Sequence, residues 1–137
     1  MNLNSVSTQE DFLVDIIEGI SVIKVNSLNA TLKEAKNLKQ IFDSLINANH
    51  FKFIIDFSHT RFIDSAFASV MINAVKDVRK LKGDIIAITP QGSINNIFVQ
   101  TKLNIIFKQF ETLDNALISF AGIGAQSFLT HIRDISF

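Results

Sequence analysis

Phe53-Ile54-Ile55-Asp56-Phe57-Ser58-His59-Thr60-Arg61-Phe62-Ile63-Asp64-Ser65 is the stretch that decides the fold. It sits inside an apolar run, Phe51 to Phe57, that reads as a strand buried on both faces, as parallel strands are. Ser58 to Arg61 make a polar turn. A second apolar pair, Phe62-Ile63, then leads to an Asp-Ser dipeptide. From Ser65 to Leu81 apolar residues recur at Phe67, Ala68, Val70, Met71, Ala74, Val75, Val78 and Leu81, the spacing of an amphipathic helix. A serine at a helix N-terminus lies where backbone N–H groups and the helix dipole favour negative charge.

Upstream, Phe12 to Ile17 and Ile20 to Val25 read as two strands of a hairpin turning at Glu18-Gly19. Thr31 to Ala48 reads as a helix with Leu32, Ala35, Leu38, Ile41, Phe42, Leu45 and Ile46 on one face, and Thr31 with Glu34 forms a capping box. Downstream, Gly83 is expected as the C′ residue of the second helix. Ile85 to Ile88 is a further strand, Pro90-Gln91-Gly92 a turn, and Ser93 the expected cap of a helix to about Thr101. Ile105 to Phe110 reads as a last strand and Leu113 to Ala121 as a closing helix. Strands separated by helices of this length need crossover connections. The expected class is α/β: one domain, a mixed, mostly parallel sheet with helices packed on it. Its boundaries are residues 12–121, after a flexible segment 1–11. A C-terminal extension, 122–137, carries Phe128, Leu129, Ile132 and Ile135 on one face of a short helical pattern.

The chain has 137 residues, enough for one domain with a core of its own. Thirteen basic and thirteen acidic side chains cancel, so charge gives no argument for nucleic acid or an anionic membrane. Cysteine is absent, which removes disulfides, thiolate chemistry and Cys-based metal sites. His50, His59 and His131 show no metal-ligand spacing, and Gly122-x-Gly124 lacks the strand that a phosphate-binding loop follows. No cofactor and no metal are therefore expected. The polar N-terminal stretch lacks a signal pattern and no apolar run reaches the roughly 20 residues of a membrane span, so a cytoplasmic protein without membrane insertion is expected. Thirteen Phe with no Tyr or Trp imply a dense, purely apolar core.

The pattern resembles the STAS domain, the fold of bacterial anti-sigma factor antagonists, over roughly residues 12 to 121. Ile54-Ile55-Asp56-Phe57 and Phe62-Ile63-Asp64-Ser65 stand where that family has its strand and its Asp-Ser motif. Lys80-Leu81-Lys82-Gly83, Ile88-Thr89-Pro90, Val99-Gln100-Thr101-Lys102-Leu103 and Phe110 to Leu117 resemble later family segments. The chain departs from the family twice. Asp64-Ser65-Ala66-Phe67-Ala68-Ser69 lacks both glycines of Asp-Ser-Ser-Gly-apolar-Gly, and Asn26-Ser27-Leu28-Asn29 replaces Gly-x-Leu-Asp.

The resemblance implies a non-enzymatic partner-switching regulator with Ser65 as phospho-acceptor. It implies two kinds of partner: an anti-sigma factor or serine kinase of the histidine-kinase-like ATPase type, and a serine phosphatase. Any magnesium ion would come with the kinase and its ATP. A second copy of the chain is a further candidate partner. Asp64, Ser65, Ser69, Thr60 and Asp56 are the candidate partner-binding residues. Each has a plainer reading. Ser65 or Asp64 would only cap the helix, worth about 1 kcal/mol. Asp56, Ser58 and Thr60 would only shape the turn, and Ser69 would be an ordinary surface serine. The basic end of the helix, Lys76, Arg79, Lys80 and Lys82, reads as favourable charge at a C-terminus. The alternative function is an unphosphorylated adaptor subunit of a larger signalling or lipid-transport complex.

Overall fold

The structure is a computed structural model and describes residues 11–90 and 92–121. Five strands form one sheet in the order β1-β2-β4-β6-β7. β1 (Phe12–Ile17) and β2 (Ile20–Val25) are the antiparallel hairpin, from Phe12 opposite Val25 to Ile17 opposite Ile20. Glu18 and Gly19 both take positive φ, 50° and 79°, the signature of a two-residue hairpin turn. β4 (Lys52–Asp56), β6 (Asp84–Ile88) and β7 (Gln109–Phe110) continue in parallel. Parallel neighbours require crossovers, and these are α1 (Leu32–Asn47), α2 (Ser65–Lys80), and α3 (Ser93–Gln100) with the short α4 (Leu103–Ile106). A helix over residues 113–121, α5, closes the described chain.

The sheet is covered on both faces, so the centres of β4 and β6, Phe53–Ile55 and Ile85–Ile88, are apolar on both sides. Phe53, Ile55 and Phe57 of β4 and its end face α1 and α2, where Leu38, Phe42, Phe67, Met71, Val75 and Val78 are buried. Ile54, Ile86 and Ile88 point the other way, against Ala116 and Leu117 of α5. The phenylalanines run through the first layer as a contiguous series. Phe12 stacks on Phe67 at 6.5 Å, Phe67 meets Phe57 edge-on at 6.1 Å, Phe57 meets Phe98 at 5.6 Å, and Phe98 meets Phe107 at 6.5 Å. Each such ring contributes about 1.5–3 kcal/mol by burial.

Several expectations are corrected. Lys82, at φ 64°, is the C′ residue of α2, and Gly83 is C″. The N–H of Gly83 donates to Val78 O at 2.7 Å and that of Lys82 to Arg79 O at 3.2 Å, the two bonds of a Schellman ending. Ser93 is the first residue of α3 rather than its cap, and Gly92 at φ 128° holds the cap position. Ile105 and Ile106 belong to α4, which leaves Gln109–Phe110 as the strand. Leu32 is exposed, not on the buried face of α1. A two-stranded parallel ladder, β3 (Asn29–Ala30) with β5 (Phe62–Ile63), was not expected at all. The expected terminal segments, 1–11 and 122–137, lie outside the described residues apart from Asp11.

Candidate functional site

The site is built where β4 ends and α2 begins. Asp56 closes β4, and its Oδ1 accepts the Ser58 N–H at 2.9 Å and the Ser58 hydroxyl. That is an aspartate folding the chain back on itself. The Phe57 N–H donates to Ile88 O and the Thr60 N–H to Phe57 O, so the turn is tied to the neighbouring strand. Thr60 differs from expectation. It is 4% exposed and its hydroxyl donates to Ser27 O at 3.0 Å, which pins the β4–β5 turn to the β2–β3 loop. Thr60 therefore holds the loop from a buried position.

The β3–β5 ladder then fixes the direction of the chain into α2. Arg61 and Phe62 both donate to Leu28 O, at 2.8 and 3.2 Å, and the Asp64 N–H donates to Ala30 O at 3.0 Å. Ile63 is buried and Phe62 points outward. Asp64 is the N-cap of α2, in extended conformation, and its Oδ1 accepts the Phe67 N–H at 2.9 Å. Its carbonyl accepts the first intrahelical bond, from Ala68 at 3.0 Å.

Phe67 is thus secured twice, by its capped N–H and by a ring that is fully buried between Phe12 and Phe57. The sequence shows a bulky residue where a glycine is usual. The structure turns that bulk inward, and Ala66 and Ala68 are partly buried against the core, so Ser65 is the exposed residue of the first turn. Ser65 is exposed at the first helical position, and Ser69 is exposed one turn further on. The N–H groups of Ser65 and Ala66 belong to the first turn and have no acceptor within the helix. An anion on the Ser65 hydroxyl would meet those donors and the positive end of a 16-residue helix.

The site brings together Asp64, Ser65 and Ser69, with Asp56 held back in its turn. Sequence reasoning noted Asn26 to Asn29 only as a departure from the family and missed that the backbone carbonyls of Ser27 and Leu28, in the β2–β3 loop, and of Ala30, in β3, position the site. A two-residue ladder has no periodicity to read. Arg79, at the far end of α2, bonds Asp84 at 3.0 Å and the Ile106 carbonyl, which joins the helix end to β6 and α4. Among the described residues no group of three or more His, Cys, Asp or Glu could hold a metal ion, and no helix is long and apolar enough to cross a membrane.

Comparison with known proteins agrees with this architecture. A Thermotoga neapolitana protein, whose name makes it a candidate anti-sigma factor antagonist, is 25% identical over 112 residues, covering 81% of this chain and 98% of its own length. The crystal structure of an anti-sigma factor antagonist from Mycobacterium paratuberculosis superposes with a TM-score of 0.70 at 22% identity, over 79% of this chain and 91% of that one. The anti-sigma factor antagonist SpoIIAA, a Bacillus cell fate determinant, shares the fold in both its forms. Its unphosphorylated form gives a TM-score of 0.66 at 15% identity, over 82% of this chain and 99% of that one. Its phosphorylated form gives 0.62 at 14% identity, over 80% of this chain and 98% of that one. The family model described as STAS domain matches residues 8–116. With more than half its length matched and the same mixed sheet and packed helices, the chain belongs to the STAS domain family.

Proposed function

We propose that this protein is a non-enzymatic partner-switching antagonist. Bare Ser65 lets it bind an anti-sigma factor or serine kinase of the histidine-kinase-like ATPase type. Phosphorylation of Ser65 releases that partner, and a serine phosphatase restores the bare form. The observation that carries the reading is the exposed Ser65 at the capped start of α2, with the bulk of Phe67 turned into the core. Asp64, Ser65 and Ser69 form the contact face, and Asp56 supports it from its turn. A phosphate would add about −1.5 to −2 charge. The helix end stabilises that charge, so the fold survives modification. A partner pocket shaped for a neutral hydroxyl would have to desolvate a near-dianion, so binding does not survive.

The test is a binding titration of bare and phosphorylated protein against the cognate anti-sigma factor kinase, after that kinase has been offered Ser65 as substrate. We expect phosphate on Ser65 and loss of binding. Equal affinity of the two forms, or no phosphorylation of Ser65, would refute the switch. Ser65→Ala should bind constitutively, and Ser65→Asp should weaken binding in part, its charge being smaller. One observation favours a second reading, the constitutive adaptor subunit. Ser69 puts an exposed side chain where the family has its second glycine, which hinders close approach of a partner backbone. Undiminished binding by the phosphoprotein would select that reading.

A further inference from the structure

β1 is an edge strand whose outer side has no neighbour among the described residues. Three of its apolar side chains, Leu13, Val14 and Ile16, are 55%, 45% and 44% exposed. A bare apolar edge of this kind invites pairing with another chain, and native proteins cover it. Side chains alternate along a strand, so Val14 and Ile16 share a face of β1 with the buried Phe12, the face towards α1. Val14 lines a groove there with Asn37, Gln40, Ile41, Ser44 and Leu45, none of them charged. Lys39 and Asp43 pair with each other on the α2 side of the helix. Lys33 and Lys36, one turn before Asn37 and Gln40, are exposed. Apolar contact rather than charge decides what fits this groove.

The chain itself holds a matching segment. The described residues end with α5 at Ala121. Phe120 packs in the same cluster as Ile17 and Ile20, which flank the hairpin turn, so the chain leaves the sheet on the side where β1 ends. In the residues that follow, 122–137, Phe128, Leu129, Ile132 and Ile135 recur at helical spacing, and Arg133 and Asp134 cancel in charge. From Ala121 to Phe128 the chain reaches roughly 23 Å, enough to pass round an edge strand. Residues 1–10 offer only Met1, Leu3 and Val6, and enter β1 from the end opposite its turn. A separate protein needs about 20–30 residues a side for a stable interface, far more than line this groove. A tethered segment needs less, because its effective concentration is on the order of mM.

We infer that residues 122–137 dock their Phe128–Leu129–Ile132–Ile135 stripe in the groove between β1 and α1 and cover the exposed edge of the sheet. Docking there is independent of the switch reading at Ser65. The segment lies beyond the family match, which stops at residue 116. Its effect is to keep β1 from pairing with a second copy of the chain.

The chain has no cysteine, so introduced pairs report contact without background. In the full chain, Ser44→Cys combined with Ser136→Cys should be joined by a short bismaleimide into a product of one chain's mass. Both replacements are small for small and remove none of the docking contacts. Val99→Cys combined with Ser136→Cys is the control. Val99 is exposed on α3, on the crossover to the opposite edge strand, β7, and its product should be at least tenfold scarcer. A product of two chains' mass would put a second copy in the groove and overturn the docking. Equal yields from Ser44 and Val99, or no product from Ser44, would overturn it likewise. Thermal unfolding gives a second measure. Val14→Ser and Ile132→Ser should each lower Tm by roughly 3 °C, and the two together by little more than either alone. Additive shifts would show that the two side chains do not share a contact, and would overturn the docking.

Discussion

Gly83 and Lys82 stand side by side and show how differently two residues can be constrained. A Cβ on Gly83 would lie 1.9 Å from the Phe51 carbonyl oxygen and 2.7 Å from the Phe51 Cβ. The backbone approaches that closely because Asp84, the first residue of β6, donates to the same carbonyl at 3.0 Å. Gly83→Ala must push the start of β6 away from β4, and should lower stability by about 3 kcal/mol in chemical denaturation. Lys82 has the opposite problem. It sits at φ 64° with a side chain it does not need there, so Lys82→Gly should raise stability by about 1 kcal/mol. Stabilisation by both substitutions, or destabilisation by both, would show the Schellman ending to be wrongly drawn. Asp64 makes a third case. Its cap on Phe67 predicts a loss of about 1 kcal/mol for Asp64→Ala. These effects separate cleanly in the structure but not in the sequence. A glycine after a helix signals an ending, and only the distance to Phe51 shows which of two adjacent positions needs it.

α2 carries both the candidate site and the largest buried stripe, and its two sides make the element a test of itself. Phe67, Met71, Ala74, Val75 and Val78 are buried, while Ser65 and Ser69 are exposed. Met71→Ala should cost about 3 kcal/mol. Val70→Ala should cost less, because Val70 is only partly buried, in the groove between α1 and α2 beside Phe42. Ser69→Ala should shift the melting curve by no more than about 0.5 kcal/mol. A reversed order would mean that the helix is rotated and that Ser65 faces inward. This helix was legible in advance because a 16-residue amphipathic pattern with an Asp cap is a strong local signal. The same holds for α1 with its Thr31–Glu34 box and for the β1–β2 hairpin. Ile105-Ile106-Phe107 was not legible. A short apolar run fits a strand or a helix equally well, and Lys102 at φ 62° is what starts α4 there. The inward turn of Phe67 was legible in the α2 stripe, but its ring partners Phe12 and Phe57, both distant in sequence, were not.

At the scale of the molecule, one sheet serves two cores, and β4 belongs to both. Ile55 faces α1 and α2, while Ile54, the next residue, faces α5, and both are fully buried. Each layer loses its floor if the sheet opens, so neither can melt alone without exposing the back of the other. The protein should therefore unfold in one transition, with the calorimetric and van't Hoff enthalpies equal. Ile55→Ala and Ile54→Ala should each lower that single transition, by about 3 kcal/mol. A separate early transition in Ile54→Ala would show that α5 peels away from an intact sheet, as a locally unstable unit does. The distinction bears on the candidate site, because the start of α2 is anchored through Phe67 in the first layer only. Coupled layers would make the Ser65 turn as stable as the whole sheet. The phosphate would then act on a preformed surface, and phosphorylation would change the charge of the contact face without changing the melting behaviour of the fold.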